Sequence, residues 1–136
     1  MRRFFILLSL VLLLFSSCDN RIEASKLVGS WKVVNFDPLL NGISPLLIEE
    51  GRKEALSTKY TFNSDNTFIM KSKSIPAGDN GRWQLNSEKE ILILKNNLGN
   101  FNEEEEFEIK LVGSSTIIIT QELEGFGYIK MTLEKE

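Results

Sequence analysis

The sequence contains no histidine, one cysteine and three prolines in 136 residues. Without histidine, Ser-His-Asp and Cys-His catalysis are excluded, and so are the common zinc sites. A single cysteine forms neither an internal disulfide nor a cysteine metal cluster. Basic residues are scarce as well: 16 Lys and Arg stand against 19 Asp and Glu, for a net charge of −3. That balance lacks the electropositive footprint of a nucleic-acid binder. No internal repeat recurs, which argues against a solenoid. The length accommodates one ordinary domain.

What is present begins with an address. The chain opens Met1-Arg2-Arg3 and continues through an apolar run of 12 residues from Phe4 to Phe15, interrupted only by Ser9. A positive segment followed by such a run is the pattern of a signal peptide. A bilayer-spanning helix needs about 20 apolar residues, so this run is too short for a stable anchor. Phe15-Ser16-Ser17-Cys18 follows at once. This stretch resembles a bacterial lipobox, in which small residues precede a cysteine that is lipidated and becomes the mature N-terminus. Phe15 stands where that family usually has leucine.

The resemblance implies a signal peptide over residues 1–17, a diacylglycerol and further acyl chain on Cys18, and a lipid-anchored place in the bacterial cell envelope. Several acyl chains on one residue give stable attachment to a membrane. Asp19 resembles an inner-membrane retention signal of enteric bacteria; other phyla sort differently, so inner and outer membrane both stay open. Residues 18–26 read as the lipidated N-terminus and a polar tether, and residues 27–136 as the folded domain. Loss of Arg2 and Arg3 leaves the mature chain more acidic still, and anionic lipid repels it.

From Gly29 onward, apolar and polar residues alternate with the period of strands. The pattern predicts strands over residues 30–36, 59–63, 67–73, 81–86, 90–95, 105–112, 116–123 and 128–134. Asp37-Pro38 reads as a break after the first. A helix is expected over residues 45–57, with Ser44 as N-cap and Pro45 in the first helical position. Leu47, Ile48, Ala55 and Leu56 are its expected apolar face. Short turns join antiparallel neighbours, and eight such strands close into an up-and-down barrel without edges. The expected fold is therefore all-β, an eight-stranded antiparallel barrel with one short helix between strands one and two, preceded by the signal-peptide helix. Alternation points Trp31, Val33, Tyr60, Phe62, Phe68, Met70, Trp83, Leu85, Phe107, Ile109, Leu111, Ile117, Ile119, Ile129, Met131 and Leu133 inward. Ile91-Leu92-Ile93-Leu94 is apolar on both faces, and its outer side is expected to lie under the helix.

Val28-Gly29-Ser30-Trp31 opens the first strand, and Gly81-Arg82-Trp83 repeats the Gly-x-Trp tripeptide in the fourth. Gly-x-Trp at the first strand resembles the lipocalin signature, whose tryptophan closes one barrel end while the glycine lets the chain pass beneath it. Residues 60–68, Tyr-Thr-Phe-Asn-Ser-Asp-Asn-Thr-Phe, resemble the hairpin of small bacterial lipocalin-like lipoproteins. The resemblance spans residues 27–134. Two features depart from it. Gly113-Ser114-Ser115 replaces the Thr-Asp-Tyr turn of core lipocalins, and no arginine in the last strand stacks on Trp31, leaving Lys130 and Lys135 as the available substitutes. Fatty-acid-binding proteins share the Gly-x-Trp start but have ten strands.

An eight-stranded barrel is either filled by side chains or holds one small ligand. The expected function is the first reading, non-catalytic binding, in which Trp31, Tyr60, Phe62, Phe68, Met70, Trp83 and Phe107 line a cavity for a small apolar ligand, such as a fatty acyl chain or isoprenoid. Among them only the Tyr60 hydroxyl is polar. In the second, the same side chains pack the barrel and the outer surface meets an envelope protein partner. Neither reading calls for a cofactor. Glu103-Glu104-Glu105-Glu106 and Glu108 invite a calcium site, but alternation divides the run between two faces and no loop of spaced ligands accompanies it. A solvated strand entry without metal is expected. With carboxylates on outer faces and turns, no catalytic residue is assigned and no enzyme is expected.

Overall fold

A computed structural model describes residues 21–97 and 104–136; the expected signal peptide and Cys18 lie outside them. The elements run α1 (Ala24–Leu27), β1 (Gly29–Leu40), α2 (Pro45–Leu56), β2 (Lys59–Phe62), β3 (Thr67–Lys71), β4 (Asp79–Asn86), β5 (Ile91–Asn96), β6 (Glu104–Leu111), β7 (Thr116–Leu123) and β8 (Gly127–Lys135). Each strand pairs antiparallel with the next, and β8 returns to β1, so the sheet closes as a barrel. The expected architecture is the observed one, including the helix between β1 and β2.

The tight turns follow from local chemistry. Between β2 and β3, Asp65 Oδ1 accepts from the Thr67 amide at 3.0 Å, and Asn66 takes φ 65°. Asparagine tolerates that left-handed conformation, and aspartate caps its own turn. At α2, Ser44 Oγ accepts from the Leu47 amide at 3.3 Å with Pro45 in the first turn.

The inward set read from alternation is buried or half-buried throughout. Strand β1 departs from expectation in two ways. It does not break at Asp37-Pro38 but continues to Leu40. β2 accompanies β1 only as far as Lys32, and beyond it β8 is the one ladder neighbour. A residue without an amide hydrogen is tolerated on such a strand. A bulge between Val33 and Asn35 also shifts the register. Val34 and Asn35 are therefore both exposed, and Phe36 turns into the core. A bulge adds one residue and reverses the facing of those that follow.

Helix α2 lies on β1, not over β5 as expected. Arg52 Nη1 donates to the Phe36 carbonyl at 2.7 Å, and its guanidinium sits 5.5 Å from the Phe36 ring centroid. Ala55 is the buried residue of the helix, whereas Leu47 and Leu56 face solvent. Ile91 and Ile93 on the outer side of β5 stay half-buried without the helix.

One barrel end is closed. Trp31 is fully buried, and its Nε1 donates to the Leu27 carbonyl at 2.8 Å. Ile22 and Leu27, both buried, belong to the same core, so the stretch expected as a tether contributes a plug in its second half. Lys135 supplies the cation: its Nζ lies 5.5 Å from the Trp31 ring and donates to the Lys26 carbonyl at 3.3 Å. Gly29, at φ +134°, passes beneath that lysine, where an added Cβ would sit 2.7 Å from Lys135 Cε.

Candidate functional site

The seven residues nominated for a ligand cavity fall on the inner faces of β1, β2, β3, β4 and β6. They are packed against one another. Tyr60 stacks on Phe62 at 5.9 Å between centroids, Phe62 meets Phe68 at 6.3 Å, and Phe62 meets Trp83 edge-on at 5.9 Å. Aromatic pairs in such geometries contribute about 0.5–1.5 kcal/mol beyond the area they bury. Trp83 Nε1 donates to the Asn63 carbonyl at 3.1 Å, which satisfies its polar atom. A side chain lining a void large enough for water would carry accessible area on that side. Trp31, Phe68 and Phe107 carry at most 1%. The closed end and middle of the barrel are therefore filled. Met70, with Ile129 and Met131, is only half-buried and lies toward the opposite end.

That opposite end carries α2, the 72–78 connection and the start of β6. Here the structure adds a polar inward residue, Glu105. It shares the inner face of β6 with Phe107 and Ile109 and is half-buried. The expectation that the described carboxylates all face outward is corrected at this position. The signal was available, since extending Ile109 and Phe107 back by two residues gives Glu105. Burial pushes the Tyr60 phenol well above its usual range, and the charge of Glu105 pushes it further. Tyr60 is thus a neutral hydroxyl at any physiological pH. Glu54 of α2 ties the helix to the β3–β4 connection by accepting from the Ser72 and Ser74 hydroxyls. Those two donors hold its carboxyl below the usual carboxylate range.

A concavity opens at the β6–β7 seam, and the inner-face Glu105 lines it beside the outer-face Glu104 and Glu106. A crevice of about 670 Å³ runs along β5–β8, and Glu104, Glu106, Glu122 and Glu124 stand along it with Ile91 and Tyr128. Its origin is in the ladder. β6 pairs with β7 from Leu111↔Ile117 to Glu108↔Thr120 and then stops, while Gln121, Glu122 and Leu123 pair with β8. Continuing that register would set Glu106 opposite Glu122 and Glu104 opposite Glu124. Like charges directly opposite on one sheet face are destabilising, so the seam parts where the glutamates begin. A groove of about 300 Å³ adjoins it, sharing Glu108, Thr120 and Tyr128 and adding Leu39, Ile118 and two lysines. Among the described residues, no group of three or more carboxylates or cysteines is placed to hold a metal ion.

No family model matches the chain, and no curated protein is similar to it in sequence. A solved structure is similar in fold: the crystal structure of a DUF4847 family protein from Bacteroides vulgatus ATCC 8482. It superposes with a TM-score of 0.51 at 16% identity, over 79% of this chain and 92% of that one. At that identity the likeness concerns the fold alone. The described chain is an all-antiparallel eight-stranded barrel protein, and a bacterial protein shares that architecture.

Proposed function

We propose that the protein is a lipid-anchored lipoprotein of the bacterial cell envelope, and that its lipocalin-like barrel is a packed, non-catalytic scaffold that works through its outer wall as a protein-interaction module. One observation supports the second part: the aromatic side chains nominated for a ligand cavity pack against one another in the closed end and middle of the barrel, while open concave surface lies on β5–β8. An apolar ligand in the lumen would require these rings to move apart. Lys135 over Trp31 and the Gly29 passage support the lipocalin-like reading.

The anchor rests on Cys18, which lies outside the described residues. Its thioether would carry the diacylglycerol, so the mature chain has no free thiol. In a bacterial host, the full chain is expected to incorporate labelled palmitate and to sediment with membranes. Cys18→Ala is expected to abolish the label and either to release the domain or to leave uncleaved precursor. A correctly cleaved Cys18→Ala chain that stays fully with the membrane would refute the anchor.

A further inference from the structure

The geometry points to the open end of the β6–β7 seam as a docking edge for an extended, lysine- or arginine-rich segment of a partner protein. The inference rests on the interaction reading above and names its site and its partner's chemistry. Two observations meet here. The first is the lapse of the ladder: from Gln121 to Leu123, β7 has a strand neighbour on its β8 side and none on its β6 side. A strand edge of this kind accepts an added strand, which takes up main-chain hydrogen bonds while alternate side chains read the surface. The second is charge. Glu104 and Glu106 stand on one side of the crevice, with Glu122 and Glu124 on the other. Within the chain, Lys95 reaches Glu104 at 3.8 Å, and that is the one ion pair recorded for these four among the described residues.

The glutamates determine which strand can enter. Side chains on an added strand alternate between faces, so a segment with a basic residue at every second position would place each charge between carboxylates that now repel one another. A second copy of this chain does not fit, because its corresponding edge is equally acidic and the whole chain is net negative. The groove beside the crevice extends the contact: Leu39 and Tyr128 are both exposed there and offer apolar surface to residues flanking the basic stretch.

The test uses the full chain in detergent micelles and a fluorescent octapeptide of alternating lysine and valine, with a glutamate–valine octapeptide as control. The lysine peptide is expected to bind and the control not to. Binding should weaken steeply with salt, because the charges are exposed to screening. Hydrogen exchange should show protection gained over residues 104–107 and 121–123. Glu122→Lys removes one carboxylate and sets a lysine opposite Glu106. It should close the seam, slowing exchange in the same two segments without peptide, and weaken peptide binding by roughly tenfold or more. Equal binding of both peptides, or protection elsewhere on the barrel, would overturn the proposal. Photo-crosslinking in cells, from Ile91 in the crevice and from Lys32 on β1, outside the crevice, separates the seam from the broader reading. Partner adducts from position 91 alone support the seam. Adducts from position 32 alone overturn the seam and leave an interaction module standing; none from either position overturns both.

Discussion

Replacing Trp31 with alanine is expected to destabilise the barrel by about 3–5 kcal/mol, the range for deleting a large buried aromatic. Three losses coincide at this residue. The indole occupies the closed end with no exposure, between Ile22 and Leu27 and the first turns of the barrel. Its Nε1 is the donor for the Leu27 carbonyl, which would be left buried and without it. The Lys135 ammonium would lose the ring beneath it. Trp31→Phe separates these terms, because it keeps most of the packing and removes only the donor. Its cost should fall to roughly 1–3 kcal/mol, the penalty for an unsatisfied buried acceptor. Urea unfolding followed by fluorescence of the remaining tryptophan, Trp83, measures both variants. A loss below about 1 kcal/mol for the alanine variant would mean that Trp31 does not close this end.

Gly81→Ala is expected to destabilise the sheet by about 3 kcal/mol, the upper end of the usual overpacking range. Gly81 lies between Phe68 on β3 and Asn96 on β5 in the ladder. A Cβ there would sit 2.1 Å from the Lys95 carbonyl oxygen and 2.8 Å from Phe68 Cε1. The first contact is with backbone and cannot be relieved by a rotamer change. β4 and β5 must separate locally, and Phe68, which also packs on Phe62, must shift as well. The same urea experiment applies. Stability within about 1 kcal/mol of the parent would show that β4 and β5 do not approach this closely.

The inner face was legible because one rule governs it: with period two, every second residue of a strand shares a face. The rule carried β3, β4 and β6–β8 from the alternation of their side chains. It failed at Phe36 because a bulge is a local change of count that leaves no mark in the pattern of Val33-Val34-Asn35-Phe36. The partner of α2 was misplaced for a different reason. Ile91 and Ile93 looked in need of cover, but α2 is fixed by an arginine hydrogen-bonded to the Phe36 carbonyl, a contact between residues 16 apart that apolar patterning does not encode. Ile22 was hidden as a lone apolar residue in a polar stretch. Glu105 was readable from the spacing of Phe107 and Ile109. The crevice was not, because opposing Glu106 to Glu122 requires the β6–β7 register, and the sequence does not state register across a turn.

These points bear on function through one question, whether the lumen is filled or holds a ligand. Native mass spectrometry of the full chain, expressed in a bacterial host and purified from its membranes, addresses it most directly. The packed-barrel account predicts a single protein mass carrying only its covalent lipid, unchanged by prior exposure to envelope lipid extract. A discrete additional mass, lost on organic extraction and restored by the extract, would contradict it and return Tyr60, Phe62, Phe68 and Trp83 to the role of ligand contacts.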